Sequence, residues 1–491
     1  MYPDPYGAYW PPPPPSGPSV RTRVGLAMAA ALALVGASAV AGAVVFDGGP
    51  IYPERWDPRV AEIARFVEEE RGHTYRHPVR VYFLAPDRYR EIAGGGPDEA
   101  APTDEEREYS ENTVAEYRAL GLMEGDPDLL AANETMQDSG TLAFYSPEDD
   151  VVNVRGTDIT PAMRVTLAHE LTHALQDQYF DLSPIGDAAT ADESGAARAI
   201  VEGDAVSVED AYVAAMSDED RADYERESSS DSDAADTDLG DVPAVLQVLF
   251  GSYYAVGNAF VEFWQADPSG VVDRENIDAV LRRLPRGSHQ LFEPARYLDF
   301  TEPQVVEPPV DESSSDEFER SSHGVDLLYV MLAERIDPLT ALRATDGWWG
   351  DAYVAAVGDN DKMCVSSRVA FGAEQDVTEF RDALEEWSTT MPTDAEVAIR
   401  NDDEPLQVTF TSCDPGPLAE MNLTDQAGPA LAFPVTRLRA AADAVSNGRT
   451  RESALCYGQA LIDRLTLTDL QSDERTPAIT TALEEAAAAC P

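Results

Sequence analysis

The stretch Ala168-His169-Glu170-Leu171-Thr172-His173-Ala174-Leu175 decides how this chain is read. On an α-helix, residues four apart lie on one face. His169 and His173 therefore aim both imidazoles at one point, with Glu170 turned to one side. Imidazole nitrogen is a good ligand for zinc, and a neighbouring carboxylate can take a proton from water at the metal. The chain has only 6 histidines, so a pair at this spacing is a specific signal. The competing reading is an exposed helix that carries two histidines by accident. What the pair needs is a third ligand and shelter from bulk solvent.

Working outward, Thr160-Pro161 supplies an N-cap and a first-turn proline, which predicts a helix to about Gln178. Residues 195–215 read as a second helix, in which Glu202 interrupts a run of small and apolar residues. Its same-face neighbours Ala199 and Ala205 leave room for another helix to approach. A carboxylate there needs a partner. Zinc at His169 and His173 supplies one; a buried salt bridge, to Arg198, is the alternative. Asp204 lies about 200° further round the helix and is a candidate for a supporting or capping contact instead.

Composition narrows the partners. With 491 residues the chain exceeds one ordinary domain. A net charge of −56, from 91 acidic and 35 basic residues, repels nucleic acid and anionic lipid surfaces. Residues 1–23 form a proline-rich tail, and 24–46 an uncharged apolar run long enough to span a bilayer. Arg21 and Arg23 on its amino side place the tail in the cytoplasm and the rest outside, as a single-pass membrane protein. A cleaved signal peptide, leaving a secreted protein that begins near Val44, is the other reading.

The cysteines, Cys364, Cys413, Cys456 and Cys490, have no Cys-x-x-Cys spacing. Beyond a membrane segment an even number favours disulfides. Sequence leaves the pairing open; Cys364–Cys413 with Cys456–Cys490 is the expected one, and free buried thiols the alternative. The pattern elsewhere predicts an α+β, mostly helical fold, with a strand at 79–84 and a hairpin over 141–154. Residues 50–355 read as the main domain, interrupted by solvated acidic insertions at 217–241 and 302–322. An α+β segment, 356–430, and a helical hairpin, 431–491, complete the chain. Tyr253, Tyr254, Phe260, Phe263 and Trp264 read as core, and His73, His77 and His323 as surface or loop histidines.

Over His169-Glu170-Leu171-Thr172-His173-Ala174-Leu175-Gln176-Asp177 the chain resembles the gluzincins, thermolysin-like zinc peptidases with a downstream glutamate ligand. The segment Ala199-Ile200-Val201-Glu202-Gly203-Asp204-Ala205 is similar to their glutamate helix. Stretches at Tyr254–Gly257, Gln290–Leu298 and Gly347–Tyr353 also resemble a group of secreted or anchored bacterial proteins that carry both blocks. The resemblance implies a zincin-like metallopeptidase domain binding Zn2+ through His169, His173 and Glu202, with Glu170 as general base. It implies a peptide or protein substrate, paired against an edge strand at 141–145 and hydrolysed by metal-activated water. Gluzincins use a downstream His or Tyr at the oxyanion; His289 and Tyr254 are candidates, and no local motif selects either. Two features depart from thermolysin. The gap from His173 to Glu202 is longer, and Asp204 follows the glutamate by two positions rather than four. The expected activity is that of a membrane-anchored, extracytoplasmic zinc endopeptidase. The alternative is a non-catalytic, zinc-stabilised cell-envelope binding protein that keeps the fold. A surface protein without metal requires the histidine spacing to be accidental.

Overall fold

Short apolar runs bounded by turn residues build the first sheet: β1 (Arg80–Leu84), β2 (Ala143–Ser146) and β3 (Val151–Arg155). The computed structural model describes residues 52–93, 102–139, 142–180, 182, 185–186, 188–269, 273–309, 316–358, 362–401, 404–472 and 475–490. The expected tail, 1–23, and membrane helix, 24–46, lie outside them. The strand order is β1-β3-β2, with β1 parallel and β2 antiparallel to β3. The 141–154 hairpin thus forms, turning at Asp150 with φ 57°, and it leaves β2 on an edge. The histidine helix follows directly, Pro161–Phe180, its start held by the Met163 N–H donating to the Thr160 hydroxyl at 3.3 Å.

The glutamate helix, Ala191–Ala215, is capped by Thr190, whose hydroxyl accepts from Glu193 N–H. Against it lies the core helix Ala244–Gln265. A Cβ on Gly257 would stand 2.0 Å from the Ala199 carbonyl oxygen, and one on Gly203 2.4 Å from the Gly257 carbonyl carbon. The two helices touch backbone to backbone, which is what the small residues around Glu202 are for. The core helix is also the one described helix long and apolar enough to cross a membrane. Most of its residues are buried by the glutamate helix and by Ala432–Ser446.

The acidic run expected as a solvated insertion at 217–241 is a helix, Asp218–Asp238, packed on the histidine helix. Ser217 caps it, accepting from Asp220 N–H. Its buried face, Tyr224, Ser228, Ser232 and Ala235 at helical spacing, carries one large ring, and Tyr224 packs on Ala162 and Val165 of the histidine helix. Its charged face reaches back to the histidine helix: Arg164 pairs with Asp220, and Glu227 accepts from Ala162 N–H at 2.9 Å.

A second, antiparallel sheet has the order β4-β5-β6-β8-β7, from β4 (Asp316–Ser321), β5 (Trp348–Val357), β6 (Met363–Phe371), β7 (Ala398–Asn401) and β8 (Gln407–Cys413). The insertion expected at 302–322 therefore ends in an edge strand, because β4 pairs with β5. The boundary expected at 355/356 falls inside β5 and does not divide this sheet. Cys364 and Cys413 stand opposite each other on β6 and β8 and are bonded. Cys456 bonds to Cys490, joining two carboxyl-terminal helices. That region has three long helices, Ala432–Ser446, Arg451–Ile462 and Pro477–Ala489, where the sequence suggested two.

The fold is α+β and mostly helical. One apolar cluster, with Leu167, Leu171 and Val208, joins the first sheet to the histidine helix. A larger one, with Ile200, Phe260, Leu332 and Phe410, joins the core helix, Gly324–Ala333 and the second sheet. The glutamate helix contributes to both, so Glu202 stands at their seam.

Candidate metal centre

His169, His173 and Glu202 come together as the histidine spacing predicted. Glu202 Oε2 lies 3.2 Å from His169 Nε2 and 3.3 Å from His173 Nε2. One donor atom from each residue lies within 4.8 Å of the other two. The three side chains are sealed from solvent, at 1%, 1% and 0% exposure.

What stands behind the rings decides what this cluster can hold. His173 Nδ1 faces Gln176 Oε1 at 2.9 Å. The Gln176 amide nitrogen donates to the Val201 carbonyl at 3.0 Å and to Asp204 Oδ2 at 2.8 Å. Both are acceptors, so the amide oxygen must face His173 and receive its Nδ1–H. His169 Nδ1 likewise faces Glu209 Oε2 at 3.3 Å. Each ring then has Nδ1 as donor, and a neutral ring offers only a lone pair at Nε2. Two lone pairs and a carboxylate oxygen converge on one point. Acceptors so placed, in a dry site, need a cation between them.

Without a metal, protons must serve. Burial disfavours a charged His169 ring, but hydrogen bonds to Glu202 and Glu209 outweigh it and raise its pKa to about 10. At His173 burial also acts against charge and is overcome by the Glu202 carboxylate. Burial pushes Glu202 up, yet the two rings hold it well below the usual carboxylate range. A metal ion replaces those protons with one charge at the point where the donors meet.

Glu170 sits beside this group without joining it. Its Oε2 accepts from Tyr145 N–H on β2 at 2.8 Å, and its Oε1 has no partner. Burial pushes its carboxyl up to about 7, against the pull of His169 and His173. Tyr254 approaches from the core helix. Burial holds its hydroxyl well above the normal range, helped by the charges of Glu202 and Glu170 and by hydrogen bonding to Glu202. His289, the other oxyanion candidate, is placed elsewhere. Its Nε2 meets the Thr301 carbonyl at 3.2 Å, its ring lies 5.0 Å from Trp348, and burial lowers its pKa to about 4.

Asp204 does not point at the ligands, as its position round the helix required. It reaches His173 through Gln176, and it also accepts from Arg71 Nε at 3.0 Å. Arg71 in turn donates to Asp278 at 2.9 Å. Sequence reasoning missed Gln176, Glu209, Arg71 and the Tyr145 amide. Gln176 stands three residues after His173 and Glu209 seven after Glu202, so helical spacing alone could have found both. Arg71 carries no such signal. The chain matches no protein-family model, no curated protein and no solved structure.

Proposed function

We propose that the protein is a zinc-dependent peptidase of gluzincin type, anchored in the membrane by residues 24–46 with its active part outside the cell. The observation that carries this reading is the place of Glu170. It lies between the converged His169, His173 and Glu202 and the edge strand β2, with one oxygen tied down and the other unpartnered. Nitrogen and carboxylate donors in a three-residue set suit zinc and leave a coordination position open. Zinc held there supplies Lewis acidity toward water and toward a peptide carbonyl.

The protein's own groups do the rest. Tyr145 N–H fixes the Glu170 carboxylate. Glu170 Oε1 takes the proton from the attacking water and returns it to the leaving amine as the peptide bond breaks. Tyr254, neutral and beside Glu202, is the hydroxyl placed to donate to the oxyanion. β2, last in its sheet, is the strand along which an extended peptide would pair by its backbone, with affinity and little sequence preference, beside the Tyr145 N–H that Glu170 already holds.

One observation favours a second reading, a zinc-stabilised envelope protein without activity. All the ligands are sealed from solvent, and turnover requires a path to them. Glu170→Gln separates the two. On the peptidase reading it lowers cleavage of a peptide library by roughly 10²–10⁴-fold with zinc content unchanged. Cleavage by the variant at the wild-type rate overturns the role of Glu170. Absence of cleavage by the wild type, with zinc bound, leaves the structural role standing.

A further inference from the structure

Away from the metal centre, a cavity of about 210 Å³ opens between the helix Asp104–Ala119, the glutamate helix and the helix Gly324–Ala333. Each of these contributes a carboxylate: Glu116, Asp192 and Asp326. Tyr117, Tyr253 and Tyr353 supply its rings. Tyr109, exposed and hydrogen-bonded to Glu319 at 3.2 Å, marks its opening to solvent. Among the described residues no lysine or arginine lines it.

The acid groups are deliberately seated. Asp192 accepts from Ser288 N–H at 3.1 Å. A Cβ on Gly287 or Gly324 would lie 2.4 Å or 2.0 Å from its carboxylate oxygens, so both glycines keep that space for it. Asp326 Oδ2 takes the Ser252 hydroxyl at 2.8 Å, while Oδ1, on a residue only 9% exposed, has no partner. His323, expected at the surface, lines the cavity instead. It is buried, stacked on Tyr353 at 4.0 Å, and its Nδ1 is also unpartnered. Burial lowers that ring to about 4, so it brings no positive charge. The same burial pushes Asp192 to about 7 and Asp326 to about 6, as expected of acids whose counter-charge is missing.

The missing charge is not a bare metal ion. Among the described residues only His169, His173 and Glu202 bring three donor atoms close enough to share one. The cavity also far exceeds the roughly 10–15 Å³ of probe-occupied space that one water needs. Carboxylates on separate walls with aromatic rings between them match a cation that carries an apolar body.

We propose that this cavity binds a small free organic cation, an alkylammonium, with its charged end on Asp326 and Asp192 and its chain against the tyrosine rings. The ammonium completes Asp326 Oδ1, and the neutral His323 ring can accept one of its hydrogens at Nδ1. The site is independent of the peptidase reading.

Calorimetric titration of the full chain tests it, with the metal centre loaded with zinc beforehand so that it does not contribute and with no chelator present. The probes are n-butylammonium, n-butanol as its uncharged counterpart, N-acetyl-lysine amide and Ca2+. Butylammonium is expected to bind and butanol not to. Asp326→Asn is expected to weaken the amine about tenfold or more, and Asp192→Asn, at the other carboxylate that seats the charge, serves if that variant fails to fold. Equal binding of butanol, no binding of butylammonium, or an unchanged affinity in the folded variant overturns the proposal. So does Ca2+ binding that excludes the amine. Binding of N-acetyl-lysine amide in place of the free amine overturns the assignment to a free ligand and makes a lysine side chain the guest.

Discussion

Gln176 sets the direction in which the His173 ring can bind, because its amide nitrogen has two acceptors and only its oxygen is left for Nδ1. Glu209 does the same for His169. Replacing Gln176 by alanine frees the ring and leaves Asp204 with Arg71 as its remaining partner here. Zinc affinity should fall about 10–100-fold, measured by competition with a chromophoric chelator, while the fold persists. An unchanged affinity would remove Gln176 from the account. Glu116 gives a second test at this scale, through pH. Burial and the Glu319 charge raise its pKa from 4.5 to about 7, with the Tyr353 hydroxyl acting the other way. The folded chain therefore holds this proton more tightly than the unfolded chain, so the stability it contributes is present at low pH. That contribution is lost as pH rises from 4.5 through about 7. Glu116→Gln escapes the loss. In amine-free buffer its stability should gain on wild type across that window, by on the order of 2 kcal/mol. Parallel curves for the two proteins contradict it.

The glutamate helix shows what a run of small residues does. Gly203, Ala199 and Gly257 bring it onto the core helix with no side chain between, and that contact fixes where Glu202 emerges. Gly257→Ala must push the helices apart. It should cost about 1–3 kcal/mol in thermal unfolding and weaken zinc binding with it; full retention of both would mean that the approach is not required. The histidine helix was legible because its capping residue, Thr160, and the i, i+4 histidines are local signals, whereas the Thr190 cap went unread and the glutamate helix begins at Ala191 rather than at the expected 195. Glu202 was legible for a different reason: a charge in an apolar run has to be explained. The helix Asp218–Asp238 was not legible. Its buried face is Tyr224, Ser228, Ser232 and Ala235, and one ring among small and polar residues makes no hydrophobic period to read until its neighbour is known. β4 escaped notice similarly, since Asp316–Ser321 is a polar edge strand defined by its pairing with β5. His323 looked like a loop residue because only the tertiary fold brings Tyr353 and Ser367 around it.

Across the whole molecule, two apolar clusters meet at the glutamate helix, with the histidines anchored in one and the core helix in the other. A metal held at the seam would tie the first sheet and histidine helix to the rest of the chain, so its removal should loosen the join rather than one local turn. The expected disulfides, Cys364–Cys413 and Cys456–Cys490, lie in the second sheet and the carboxyl-terminal helices, away from that seam. They cannot substitute for the metal there. The central claim is that His169, His173 and Glu202 are built around zinc, and metal analysis of the purified chain tests it most directly. Wild type should carry about one zinc per chain, lose thermal stability on chelation and regain it when zinc is restored. Glu202→Ala should retain little zinc and no longer respond to chelator. A wild-type chain that takes up no metal, or a Glu202→Ala chain that binds zinc as tightly as wild type, would contradict the account.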